Sequence, residues 1–291
     1  MVLRDARLYQ IGFLSIFLGF GVWGRDWSLQ PQGMIMAIAA CLLTQVLLVL
    51  LLPPPAHSPI PRWRYALKSW PSAAITSLSL CLLLRTNHPL TMVLAGGAAI
   101  ASKFWLKSPN HKHFFNPANF GIMTALMFTR DAWVSPGQWG TEWWAIMLFA
   151  CLGGTIAGRV GRWDTSAPFL GTFALLEMGR NAWLGWSWDV AVHHLASGSL
   201  LLFAFFMLTD PRSIPNARPA RIIWAVSIAL LTFGLRYAFF VPAAMFWALF
   251  ILSPTTLWLD LLWPEQRFQW GTADASTKSP RTWLALPQTR L

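Results

Sequence analysis

Charge is what this chain has least of. Asp, Glu, Lys and Arg make up 11% of its 291 residues, and only 11 residues are acidic. A soluble domain carries about 25% charged residues, so a water-facing surface of ordinary composition is excluded. Its three cysteines, Cys41, Cys81 and Cys151, stand far apart in apolar runs. That excludes a disulfide framework and a zinc-ligand spacing. No Gly-rich phosphate loop or Ser-His-Asp set is present. Few acidic residues fall within the apolar runs, which argues against this chain pumping ions by itself. The first apolar run has no small-residue cleavage site, so no cleaved signal peptide is expected.

What is present is apolar. Hydrophobic residues make up 55% of the chain, more than one water-soluble core can hide. The reading is an all-α polytopic membrane protein. Ten apolar segments are expected at about 8–24, 33–52, 69–85, 89–106, 117–129, 143–160, 166–178, 190–209, 221–238 and 241–258. The fifth and seventh are too short to cross about 30 Å of hydrocarbon, so they are expected to be half-spanning and shielded by protein. One transmembrane domain then covers 1–258, and 259–291 is a cytoplasmic tail.

The net charge of +11 fits this topology better than a nucleic-acid partner. With ten spans, seventeen of the 22 Lys and Arg fall on the side shared by both termini. The positive-inside rule makes that side the cytoplasm, here of a bacterial inner membrane. The 19 tryptophans cluster near span ends, including Trp23, Trp27, Trp63, Trp70, Trp133, Trp139, Trp258 and Trp263, where indoles face lipid headgroups. The histidines divide between the sides. His57, His111 and His113 are inner, and His88, His193 and His194 are outer, with no persuasive haem-ligand pair.

The chain also repeats itself. "FFNPANFGIMTALMF" (114–128) opens the fifth segment and "FFVPAAMFWALFILS" (239–253) opens the tenth. "CLLLRTNHPL" (81–90) closes the third and "FFMLTDPRS" (205–213) closes the eighth. An offset of five spans is odd, so the halves 1–140 and 141–258 would enter the membrane from opposite sides as two inverted five-helix repeats.

Polar residues at segment starts mark the candidate site. Asn116 is a good N-cap and Pro117 suits the first helical position. A recessed helix start there would turn its N–H groups toward a cavity and favour an anionic or electron-rich ligand. Asn119 lies on the same turn. Asp164, Thr165 and Ser166 open the seventh segment with groups that could meet a phosphate or act as caps. Ser197 and Gly198 allow close backbone approach, to a ligand or to another helix. Asp210 is either a cavity group or the cap of a turn with Pro211. Asn116, Asn119, the Asp164–Ser166 turn, Ser197 and Gly198 are expected to line one cavity between the halves.

The stretches "KHFFNPANFG" (112–121), "DAWVSPGQWG" (131–140) and "ASGSLLLFAFFMLTDP" (196–211) resemble the D-type membrane subunit of the Rnf electron-transport complex. They are equally similar to the B-type subunit of the sodium-pumping NADH:quinone reductase. The last span, "MFWALFILSPTTLWLD" (245–260), resembles the family's last helix, with Ser253 where Asn is usual. The resemblance implies a flavin-dependent subunit that relays electrons toward a quinone or a partner flavin, among other membrane subunits. Family members attach FMN through a Ser-Gly-Ala-Thr motif, and this chain instead reads "GRWDTSAPFLGTFALL" (161–176). FMN or another flavin is therefore expected to be held non-covalently, with Thr172 or Thr165 as fallback attachment points. The other readings are a structural subunit that kept the fold without the cofactor, and a small-solute transporter or channel.

Overall fold

The computed structural model describes residues 6–24, 31–52, 61–108, 112–134 and 143–268. Trp27, His57, His111, Trp139 and most of the tail, from 269 onward, lie outside the described residues.

The described residues are almost wholly helical. In chain order they form α1 (Ala6–Gly24), α2 (Pro31–Leu51), α3 (Arg62–Leu83), β1 (Leu84–Thr86), α4 (Pro89–Trp105) and α5 (Pro117–Phe128). There follow β2 (Ala132–Val134), α6 (Trp143–Val160), α7 (Trp163–Trp183), α8 (Trp188–Leu195), α9 (Gly198–Leu202) and a π-helical turn (Phe203–Met207). α10 (Arg218–Tyr237), α11 (Ala244–Leu252) and α12 (Thr255–Leu262) complete the fold. The chain is an integral membrane protein. Three helices are long and apolar enough to cross a membrane, Ala6–Trp23, Pro31–Leu51 and Arg218–Tyr237, and two bent pairs add further spans. Large apolar side chains such as Leu43, Leu51, Leu175 and Leu230 point outward, as a lipid solvent permits. Trp23, Trp63 and Trp258 are exposed near helix ends, and Trp133 is exposed in β2, where interfacial anchors belong. Trp70 is exposed inside α3, which starts earlier than the apolar run did.

Ten segments are present among the described residues, and they differ from the sequence reading in length and continuity. The seventh is not short: α7 runs 21 residues. Glu177 and Arg180 make its second half look polar. Glu177 is buried, however, accepting from Tyr237 Oη at 2.6 Å, and the helix continues through it. The eighth and tenth segments are broken rather than continuous. α8 bends by 43° into α9 and the π-helical turn, and α11 bends by 49° into α12. The fifth is short as expected. α5 has 12 residues, a rise of about 18 Å. α12 runs through Leu262, past the expected boundary at 258.

Packing brings each short piece under cover. α2 lies against α3 and α4, α4 against α5, and α1 against α3. In the second half α7 lies against α10, α10 against α11, and α6 against α9 and the π-helical turn. α5 and α11 meet across the halves, where the Phe115 and Phe250 rings lie with centroids 5.0 Å apart. Gly121 sets how closely α5 approaches α4: a Cβ there would fall 2.5 Å from the Ala95 carbonyl oxygen. At the far end of α5, β1 pairs antiparallel with β2, Arg85 opposite Trp133. Asp131 closes the same end, accepting from the His88 amide and Thr91 Oγ1, each at 3.0 Å, and so meeting donors at the start of α4.

Candidate functional site

The local chemistry begins at Pro211. A carbonyl in a helix normally receives the amide N–H four positions ahead. For the Met207 carbonyl that position is Pro211, which has no N–H. Asn116 supplies the donor instead, Nδ2 to the Met207 carbonyl at 2.9 Å. Its Oδ1 accepts from the Asn119 amide at 3.0 Å, capping α5. One carboxamide thus starts α5 and closes the π-helical turn.

The π geometry leaves a second open acceptor. The Leu208 amide bonds five residues back, to Phe203, which bypasses the Ala204 carbonyl. Ser166 Oγ donates to that carbonyl at 2.7 Å. Asn119 Nδ2 donates to the Phe246 carbonyl at 3.2 Å, joining α5 to α11. Each of these polar side chains is buried.

An ionic chain ties the same end of the bundle. Lys112 Nζ lies 2.6 Å from Asp260 Oδ2 and donates to Asn216 Oδ1 at 3.2 Å. The Asn216 amide donates to Asp260 Oδ1 at 2.7 Å. Arg221 donates to the Asn216 carbonyl, and it holds Asp164 through two bonds of 2.9 and 2.7 Å. Two cations and two carboxylates balance along a path from the lead-in of α5 to the start of α7. Burial opposes the charge on Lys112, and Asp260 compensates only in part, leaving the ammonium pKa below its usual value.

A small cavity of about 70 Å³, open at one side, lies between the halves. Its apolar wall includes Leu14, Leu82, Leu83, Ile156, Leu202 and Phe206. Its polar lining comprises Arg7, Gln10, Ser72, Thr76, Ser79, Lys103, His113, the start of α5 at Asn116–Ala118, Thr209, Asp210 and Arg212. Lys103 sits in the last turn of α4 and is buried. Its ammonium donates to the Ser72 carbonyl, Ser72 Oγ and Thr76 Oγ1 at 3.0–3.1 Å. It makes no ion pair among the described residues.

Across the cavity, His113 Nε2 lies 3.6 Å from Asp210 Oδ2. Burial lowers the His113 pKa, with Asp210 partly opposing. Burial also works against charge on Asp210, but the His113 ring and the Arg212 amide outweigh it and hold the carboxyl below its usual range. Both directions agree on an ionised Asp210 beside a neutral histidine.

The sequence-predicted residues do not converge on one cavity. Asn116, Pro117 and Asp210 line this one. Asn119, Asp164, Thr165 and Ser166 are buried in bonds, Thr165 Oγ1 donating to the Arg162 carbonyl at 2.8 Å. Thr172 is half-buried on α7, and Gly198 is buried at the first position of α9. Ser197 lines a separate cavity at the other end, with Phe173, His193, His194, Thr232, Arg236 and the start of α11. Among the described residues no group of His, Cys, Asp and Glu is placed to hold a metal.

Sequence reasoning misses Lys103, because it falls among the loop charges. The available signal is Ser72 and Thr76, one turn apart on α3, a polar pair able to receive a buried cation.

A bundle of ten apolar segments with broken spans, and a basic cavity between its halves, defines a polytopic membrane protein built around an internal site. The family model that matches it is that of the NQR2, RnfD, RnfE family, over residues 38–269. The chain belongs to that family. Among curated proteins it is similar to the D-type subunit of the ion-translocating oxidoreductase complex from several bacteria. The Stutzerimonas stutzeri protein is 34% identical over 120 residues, covering 39% of this chain and 32% of that protein. The Actinobacillus pleuropneumoniae serotype 5b protein is 32% identical over 103 residues, 35% and 30% of the two chains. The Haemophilus influenzae KW20 protein is 31% identical over 97 residues, 33% and 27%. The matched stretch thus spans about a third of each relative.

The neutral His113 generates a prediction with a definite sign. Its folded pKa lies below the ordinary histidine value of 6.5, so near and below pH 6.5 the unfolded chain binds the proton first. Stability should therefore fall as pH drops below about 6.5, and rise toward neutrality. His113→Gln should flatten this limb of a thermal-unfolding series between about pH 7.5 and 5. A variant with the wild-type slope would show that His113 is not the group responsible.

Proposed function

We propose that this chain is a membrane-embedded electron-transport subunit of an ion-translocating oxidoreductase complex. In this reading it holds a flavin non-covalently, FMN or a relative of it, in the cavity between its halves. Other membrane subunits are its partners and a quinone is a candidate acceptor. Family membership and the names of the relatives support the complex. The observation that carries the flavin is Lys103, a buried cation without a carboxylate partner among the described residues, beside an apolar wall and the capped start of α5.

The donor set suits such a group, and the cavity of about 70 Å³ would have to widen to admit its ring. A flavin supplies the capacity to accept and pass on electrons. The apolar wall would exclude water from a flat ring, and the Ala118 amide could donate to its edge. The Lys103 ammonium would stabilise negative charge on the ring, an effect strengthened by the low dielectric around it. Asn116 would act through the helix start it fixes, since its own carboxamide is committed.

The absorbance of protein purified in mild detergent tests this. A flavin band in the blue, lost on denaturation, with an intact-chain mass equal to the bare sequence, is the expected result. Lys103→Met should retain the band and lower the midpoint potential by tens of millivolts, given about 30 mV per 1.4 kcal/mol for a two-electron couple. Protein with no flavin band and no extractable flavin would leave the structural-subunit reading. The commitment of Asn119, Asp164, Thr165 and Ser166 to inter-segment and capping bonds favours that reading as the second.

We also propose two inverted five-helix repeats in a bacterial inner membrane with cytoplasmic termini. The charge distribution supports the orientation. Corresponding neighbours support the repeat, with α2–α4 matched by α7–α10, and α4–α5 by α10–α11. An impermeant maleimide added to intact cells should label Asp189→Cys, and should reach Lys107→Cys only after permeabilisation. Labelling of the Lys107 position from outside would overturn the orientation.

A further inference from the structure

α7 and α10 leave a groove along their outer faces. Leu175, Leu176, Phe233 and Ala238 line its sides, and Gly179 and Gly234 lie within it. Neither glycine has a heavy atom within 4 Å of the position a Cβ would take, so the seam between the helices stays open. At the polar end lies Arg180. Its guanidinium sits over the Tyr237 ring at 4.1 Å and over the Trp186 ring at 4.8 Å. It makes no ion pair or hydrogen bond among the described residues. Glu177, one turn earlier, is committed to Tyr237 and His194.

Depth comes from a separate observation. Trp183, Trp186 and Trp188 are 88%, 45% and 59% exposed beside this end, and exposed indoles gather at the headgroup level. The arrangement therefore combines an apolar slot reaching into the hydrocarbon with an uncompensated cation at headgroup depth. The aromatic faces fix the cation in place and offer it no counter-charge.

We propose that this groove holds one anionic phospholipid, its phosphate on Arg180 and an acyl chain along the Gly179–Gly234 seam. Basic pockets between membrane helices recognise anionic headgroups in this way, and a guanidinium matches phosphate oxygens in a paired geometry. The lipid would brace α7 against α10, the pair that positions Asp164 and Arg221.

Native mass spectrometry of the full chain in neutral detergent tests the proposal, with phosphatidylglycerol, phosphatidylcholine and inorganic phosphate as probes. One phosphatidylglycerol should be retained per chain, with about tenfold preference over phosphatidylcholine, and inorganic phosphate should not displace it. Arg180→Gln should abolish the preference, and Arg180→Lys should restore part of it. Gly234→Leu should reduce retention of both lipids by filling the slot, and Gly179→Leu serves if that variant does not yield monodisperse protein. An unchanged preference in Arg180→Gln would overturn the proposal. So would undiminished retention in a slot-filling variant that runs as monodisperse protein, or displacement by inorganic phosphate alone.

Discussion

The structure depends on one constraint: a backbone carbonyl inside a membrane protein must find a donor, because lipid supplies none. Two carbonyls at the end of the eighth segment, Met207 and Ala204, have no helical donor ahead of them, and Pro211 offers no N–H to the first. Asn116 answers the first across the halves of the bundle, and Ser166 answers the second from the start of α7. The C-terminal end of the eighth segment is therefore held by side chains from distant segments. That end also lines the cavity, with Phe206, Met207, Thr209 and Asp210 beside the start of α5.

Charge is handled by the same economy. The few acidic residues at this end are placed against cations on other elements, Asp260 against Lys112 and Asp164 against Arg221. Each pair joins pieces far apart in sequence, so each acts as a register mark for the bundle as well as a neutralised pair. Removing one partner would strand a buried charge, which costs more than the pair contributes. Lys103 stands outside this pattern. It is buried among hydroxyls and a carbonyl, and that leaves it able to meet a negative ligand.

The number and order of segments were legible because long apolar runs have few alternatives. The sharp start of the fifth segment was legible too, since Asn116-Pro117 is a local signal read by local rules. What was not legible depended on partners. α7 looked short because Glu177 and Arg180 gain acceptable surroundings only from Tyr237, His194 and Trp186. The polar residues Asn119, Asp164 and Ser166 pointed to a ligand because their actual partners, Phe246, Arg221 and Ala204, lie 38 or more positions away. Ser253-Pro254 marks the break in the tenth segment, inside an apolar run that reads as continuous. No local pattern could distinguish a lysine in a loop from one turned into the bundle.

The Asn116 clamp can be tested by pairing its removal with restoration of the missing N–H. Asn116→Ala should destabilise the protein, since it loses a cap and leaves a carbonyl open, each worth about 1 kcal/mol. Pro211→Ala returns a donor four residues beyond Met207. Thermal or denaturant unfolding of the wild type, both single variants and the double variant forms a complete cycle. The account predicts that the double variant recovers about half of the Asn116→Ala loss, a coupling of about 1 kcal/mol. Strict additivity of the two substitutions would contradict it, because the Met207 carbonyl would then not depend on Asn116.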